Sequence, residues 1–220
     1  MTEAISTIPD QRMFWDLWHE RHTVASHTDH SQAALQAFVE AMSEQPNKQV
    51  LEVGCGQGRE AISLARRGFA VSAFDHSEVA ISIARTNAIK AGRKVAFIEH
   101  DTARPLPYTS ESFGGAFAHL SLHYFDDSTT EIIFNELQRV LGPDGVLFFT
   151  VRSTRDPLYG QGENLGENIF CLSGHVRHFF DISYIKDLLS KWDIRLSEGY
   201  DTSHRTVNPG VFIRVLAVRI

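Results

Sequence analysis

Apolar positions along this chain change period repeatedly, between the spacing of an amphipathic helix and the short unbroken runs of a buried strand. In the stretch from Pro9 to His30, Phe14, Trp15 and Trp18 fall on one side of a helix. Residues 31–42 predict a second helix, with Ser31 as its cap. Residues 49–53 form a short apolar run that stops at glycine, the mark of a buried strand. From there the pattern alternates. Residues 59–67 predict a helix ending before Gly68, 69–74 a strand, and 77–91 a helix capped by Ser77 and closed by Gly92. Strands follow at 95–98 and 113–117, then a strongly amphipathic helix at 129–141 and a buried strand at 146–151.

Strand and helix alternating at short spacing imply a parallel sheet with helices on both faces. The tail departs from this rule. Residues 182–191 read as a helix. Residues 194–204 and 211–220 read as strands joined by Asn208-Pro209-Gly210, a turn that makes them antiparallel. The expected fold class is α/β: a Rossmann-like, seven-stranded, mostly parallel sheet ending in an antiparallel hairpin. One domain over 1–220 is expected. Its parts are an N-terminal helical segment (1–46), a core (49–151), a variable insertion (153–181), and a C-terminal helix and hairpin (182–220). The glycine-rich stretch 153–174 reads as an irregular loop, and loops of that length are often functional lids.

Composition narrows the function classes. The 220 residues are 43% hydrophobic and 22% charged, which is ordinary globular usage. The net charge of −6 argues against a bulk electrostatic grip on nucleic acid. Two cysteines make no disulfide framework, and the opening residues carry acidic groups and no apolar run. No stretch approaches the ~20 apolar residues of a membrane span. The expectation is a soluble cytoplasmic protein, monomer or homodimer, with a small-molecule substrate and neither nucleic-acid nor membrane partner.

The strongest chemical signal is Leu51-Glu52-Val53-Gly54-Cys55-Gly56-Gln57-Gly58. Glycine lets the backbone turn tightly and a ligand approach closely. The spacing is G-x-G-x-G. A dinucleotide fingerprint would place its third glycine at Arg59, and a P-loop would need a lysine followed by Ser or Thr. The loop therefore suits a nucleoside without a pyrophosphate. Asp75 ends the second strand, where a carboxylate can accept both ribose hydroxyls. Asp101 follows the third strand, where a carboxylate can accept from an adenine amino group.

Together these residues resemble the class I S-adenosylmethionine-dependent methyltransferases. The resemblance runs from Gln49 to Val151 and includes Arg139-Val140-Leu141 and Pro143-Asp144-Gly145. It implies S-adenosyl-L-methionine as cofactor. It also implies roles: Gly54, Gly56 and Gly58 close to the methionyl and ribose portions, Glu52 under the loop, and Asp75 with His76 at the ribose. Asp101 and Thr102 would serve the adenine, and His119 would lie near the cofactor and the substrate entrance. Cys55 reads as a small spacer, since nothing nearby would activate it.

The acceptor is less determined. Amino-methyltransferases of adenine and glutamine carry an Asn/Asp-Pro-Pro-aromatic box after the fourth strand. This chain has Ala118-His119-Leu120-Ser121-Leu122-His123-Tyr124 there. The C-terminal half resembles tellurite-resistance methyltransferases of the TehB type, which implies an acceptor-side pair at His204 and Arg205. The family's further arginine is replaced here by Asn208-Pro209-Gly210. An oxyanionic acceptor such as tellurite or selenite, or a thiol, needs only cations such as Arg205, Arg152 or Arg177 to hold it. A hydroxyl or amine acceptor needs a base, for which His204 and His123 are candidates. Residues Phe170, Phe179 and Phe180 could line an apolar pocket for a metabolite acceptor. A small-metabolite O- or N-methyltransferase and a non-catalytic cofactor-binding module remain alternatives. A metal site is not expected: the pairs His119/His123, His27/His30 and His175/His178 have ligand spacing but no third ligand.

Overall fold

Seven strands line up in the order β3-β2-β1-β4-β5-β10-β9 in the computed structural model, which describes residues 10–22, 29–202 and 210–220. In chain order these are β1 (Gln49–Val53), β2 (Ala70–Asp75), β3 (Ala96–Glu99), β4 (Phe113–His119) and β5 (Leu141–Arg152). The pair β9 (Trp192–Asp201) and β10 (Val211–Arg219) follows. Strands β1 to β5 pair in parallel, and β10 lies antiparallel between β5 and β9, as the turn chemistry predicts. The strand order reverses between β1 and β4, so the C-terminal ends of these strands open a crevice there.

Alternating side chains feed a core on each face. On one side Leu147, Phe149 and Val151 of β5 meet Phe134 and Leu137 of α5 (Asp127–Val140), and Ile185 and Leu189 at α6 (Ile182–Leu188). On the other side Val146 and Phe148 meet Phe38 and Met42 at α2 (Asp29–Ala41). The same core takes Leu64 of α3 (Arg59–Arg66) and Ala84 of α4 (Glu78–Lys90). Gly115 of β4 is required here: a Cβ would stand 2.5 Å from Met42 Sδ.

Caps explain most element bounds. Ser77 Oγ accepts from the N–H of Ala80, as expected for an N-cap. Asp126 does the same for Thr129 and starts α5 two residues earlier than its apolar pattern predicts. Ser31 is not a cap, because α2 begins at Asp29 and buries Ser31 inside the helix.

The main departure is the insertion. The stretch expected to be an irregular loop carries a second, three-stranded antiparallel sheet of β6 (Glu163–Gly166), β7 (Ile169–Leu172) and β8 (His175–His178). Leu172 pairs with His175, leaving Ser173 and Gly174 as a two-residue turn with φ of 54° and 76°. Positive φ at both positions is the type I′ geometry that suits a hairpin. The N-terminal aromatic residues lie on α1 (Arg12–Arg21), as predicted. No helix among the described residues is long and apolar enough to cross a membrane.

Candidate active site

The glycine loop leaves β1 and turns back under the end of β2. Gly54 and Gly56 have φ of +68° and +50°, which other residues rarely adopt. The Gly56 N–H donates to Asp75 Oδ2 at 2.8 Å, and the Ser77 N–H donates to Oδ1 at 2.9 Å. The carboxylate at the end of β2 is thus fixed by two backbone donors. An ionised carboxylate has about four acceptor sites, so two remain for a ligand. A Cβ on Gly54 would lie 2.3 Å from Ser121 Cβ, and one on Gly56 3.3 Å from His19 Cε1.

These groups open on a cavity of about 410 Å³ at the ends of β1 to β4. Gly54 and Gly56 form part of its wall, followed by Asp75 and His76. The segment after β3 supplies Asp101, Thr102, Ala103 and Arg104. The segment after β4 supplies Leu120, Ser121, Tyr124 and Phe125. Asp101 Oδ1 accepts from the Ala103 N–H at 2.9 Å, which sets that carboxylate much as Asp75 is set.

Helix α1 covers the cavity with Trp15 and His19, preceded by Asp10 and Gln11. Polar ties hold it there. Ser77 Oγ donates to Asp16 Oδ1 at 2.5 Å, and Gln57 Nε2 to the His22 carbonyl at 2.6 Å. The Val176 N–H donates to Gln11 Oε1 at 3.0 Å, and Arg12 pairs with Glu99. Burial beside the cavity depresses the His19 pKa, although Asp75 and Asp16 oppose the shift.

Residues 50–145 match the family model for the methyltransferase domain. The matched segment runs from β1 into β5 and so includes the glycine loop, Asp75 and Asp101. An S-adenosylmethionine-dependent methyltransferase of Methanosarcina mazei superimposes with a TM-score of 0.72 at 22% identity, over 83% of this chain and 96% of the other. TehB of Haemophilus influenzae superimposes with a TM-score of 0.66 at 16% identity, over 93% of this chain and 66% of that one. At these identities both are likenesses of fold. The ubiquinone biosynthesis O-methyltransferase of Hahella chejuensis is 31% identical over 113 residues, 51% of this chain and 47% of that protein. The chain spans about half the length of the curated relatives that it matches in this way.

Within the matched segment, six of the residues expected at the cofactor share one cavity: Gly54, Gly56, Asp75, His76, Asp101 and Thr102. Three expected there lie elsewhere. Gly58 caps α3, and a Cβ on it would stand 2.9 Å from both Ala84 Cβ and Phe97 Cζ, so it serves helix packing instead. His119 is tied through Nδ1 to Thr150 Oγ1 at 2.8 Å and is not part of the cavity wall. Glu52 is buried under the loop, as expected, but does not reach the cavity. Burial and the nearby Glu60 push its carboxyl pKa well up.

The acceptor-side expectations fare unevenly. His204 and Arg205 lie outside the described residues. His123 is 1% exposed and off the cavity wall, and burial followed by the charge of Arg152 pushes its pKa well down. It is neutral but a weak base. Phe179 and Phe180 are fully buried, Phe170 is half-buried and packs on Tyr159 and Phe179, and none of the three is on the cavity wall. Cys55 is buried, and its thiol pKa is pushed well up, which fits a spacer. Among the described residues no group of three or more His, Cys, Asp or Glu could hold a metal ion. The structure adds residues the sequence did not single out: Ser121 beside the loop, His19 above it, and Tyr124 at the cavity wall.

Proposed function

We propose that this chain transfers the methyl group of S-adenosylmethionine to an oxygen of a small-molecule acceptor. The observation that carries the reading is the placement of Asp75 and Asp101 in one cavity beside a glycine loop that lacks a P-loop lysine. The donor set fits that cofactor. Asp75 retains two acceptor sites for the ribose hydroxyls, Asp101 and Thr102 face the adenine, and the cavity wall at Gly54 and Gly56 takes the methionyl portion. When bound, S-adenosylmethionine would supply a methyl on a sulfonium; in-line attack of an ionised acceptor oxygen on that carbon would form the O–C bond, break the C–S bond and leave S-adenosylhomocysteine.

The protein's part is positioning and exclusion of water. Holding the acceptor atom about 3–3.5 Å away and in line supplies much of the rate. Trp15 and His19 of α1 close the cavity on the solvent side, and Tyr124 forms its wall toward the insertion sheet. An oxygen acceptor is preferred because the ubiquinone biosynthesis O-methyltransferase shares 31% identity over the matched stretch. The soft-acceptor alternative rests on His204 and Arg205.

Mass spectrometry of S-adenosylhomocysteine release tests this. Purified protein with S-adenosylmethionine receives phenolic and carboxylic acids in one arm, tellurite, selenite and thiols in a second, and buffer in a third. Release in the first arm alone is expected. Release only in the second arm would replace oxygen by a soft acceptor. No release in any arm, with cofactor bound, would favour a non-catalytic binding module.

A further inference from the structure

Tyr124 belongs to two neighbourhoods. It lines the cofactor cavity, and its ring also stacks 5.2 Å from His175 of β8 and 4.3 Å from His123. His175 is held by Arg177, whose Nη2 donates to His175 Nδ1 at 2.8 Å and whose Nη1 donates to the His175 carbonyl at 3.3 Å. A guanidinium can only donate, so Nδ1 accepts and the proton of neutral His175 sits on Nε2. That Nε2 is buried with no partner, and so is His123 Nδ1.

The charges do not balance. Arg152 pairs with Asp156 at 2.6 Å. Half-buried Arg177 makes no ion pair among the described residues, and Asp156, whose charge also acts on it, already pairs with Arg152. Burial, then Arg177 and Arg152, push the His175 pKa down to about 3, so no histidine charge adds to the excess. Burial keeps the Tyr124 hydroxyl protonated, with its pKa pushed up to about 12. A guanidinium, an imidazole N–H and a phenol therefore gather beside the cofactor cavity with donors in surplus. Two cations that share one carboxylate are under-compensated, and an anionic ligand would supply the missing charge.

We infer that Tyr124, His175 and Arg177 form an acceptor subsite that anchors a small planar carboxylate. Arg177 provides the forked donor that matches a carboxylate, and Trp15 and Tyr124, which pack on His175, carry this cluster to the cavity wall with aromatic surface that suits a planar acid. Phe14 and Trp15 lie 4.2 and 5.1 Å from His175, so the helix that covers the cofactor also covers this subsite. The identification of the ligand as the methyl acceptor rests on the methyltransferase reading, whereas the binding of the anion does not.

The test is calorimetric titration of benzoate and of its neutral analogue benzamide into the full chain saturated with S-adenosylhomocysteine. Wild type binds benzoate at least about tenfold tighter than benzamide. Arg177→Gln erases that preference and Arg177→Lys restores part of it, while the Kd of S-adenosylhomocysteine stays unchanged. Equal binding of the two probes to wild type, or a preference that survives Arg177→Gln, overturns the inference. If Arg177→Gln does not fold, the wild-type comparison decides alone. A benzoate preference in a protein that binds no S-adenosylhomocysteine would sustain the anion subsite and sink the methyltransferase reading.

Discussion

Asp75→Asn isolates the role of the carboxylate at the end of β2. In the wild type its two oxygens each receive one backbone N–H, from Gly56 at 2.8 Å and Ser77 at 2.9 Å. The amide has one acceptor oxygen and one NH2, so one of these N–H groups must face another donor. Leaving such a donor unsatisfied costs about 1–3 kcal/mol, which for a chain of this size lowers Tm by roughly 2–12 °C. The same change removes the charge that would receive the ribose hydroxyls. A hydrogen bond to a charged group contributes about 1.5–3 kcal/mol, so loss of one weakens binding roughly 10- to 150-fold. Titration calorimetry with S-adenosylhomocysteine measures the second effect, and a thermal melt the first. A folded Asp75→Asn protein whose Kd stays within about threefold of wild type would refute the assignment of Asp75 to the cofactor.

Gly54→Ala puts a Cβ 2.3 Å from Ser121 Cβ on a residue with φ of +68°. The left-handed conformation alone costs roughly 1–2 kcal/mol, and cofactor affinity should fall at least about tenfold. Adding Ser121→Gly should recover part of the loss, and a double mutant no better than the single would show that the contact is not the cause. Acid should destabilise the fold through its buried histidines. Below pH ~6.5 the unfolded chain protonates His175, while the folded one does not until about pH 3. Unfolding free energy is therefore flat in this group above pH ~6.5 and falls by about 1.4 kcal/mol per unit below it. His175 alone predicts a loss of about 2 kcal/mol between pH 7 and pH 5 in urea melts, and His123 shifts in the same direction. Equal stability at the two pH values would show that these imidazoles are not held neutral. Burial keeps Cys55 inert, so a thiol reagent at pH 8 should modify at most Cys171 in native protein, with Cys55 reacting only on unfolding. Rapid reaction of both thiols would contradict this.

The parallel core was legible because its punctuation is local. Gly68 and Gly92 stop their helices, Ser77 caps the next one through its own side chain, and the run 49–53 ends at the glycine that begins the turn. The insertion was misread because Glu163–Gly166 has no alternation of apolar and polar positions and is a strand only through its pairing with β7. The hairpin beside it did carry a signal, since Ser173-Gly174 between two apolar-bearing runs is a turn of the I′ kind. At the site, the motif gave the right carboxylates but could not say which glycine meets a ligand and which meets a helix. Gly58 differs from Gly54 only by what lies across from it, Phe97 and Ala84, which come from distant segments. For the same reason His119 and His123 were indistinguishable from Tyr124 in sequence. They are neighbours in one segment, and only the packing of β8 and α1 decides that Tyr124 faces the cavity.

A crystal structure of the chain with S-adenosylhomocysteine tests the central claim most directly. The account predicts density in the cavity between the glycine loop and α1, with both ribose hydroxyls about 2.5–3 Å from Asp75. The adenine amino group should lie at Asp101, and the sulfur toward Tyr124. A nucleoside bound outside that cavity, or within it with its ribose away from Asp75, would contradict the account.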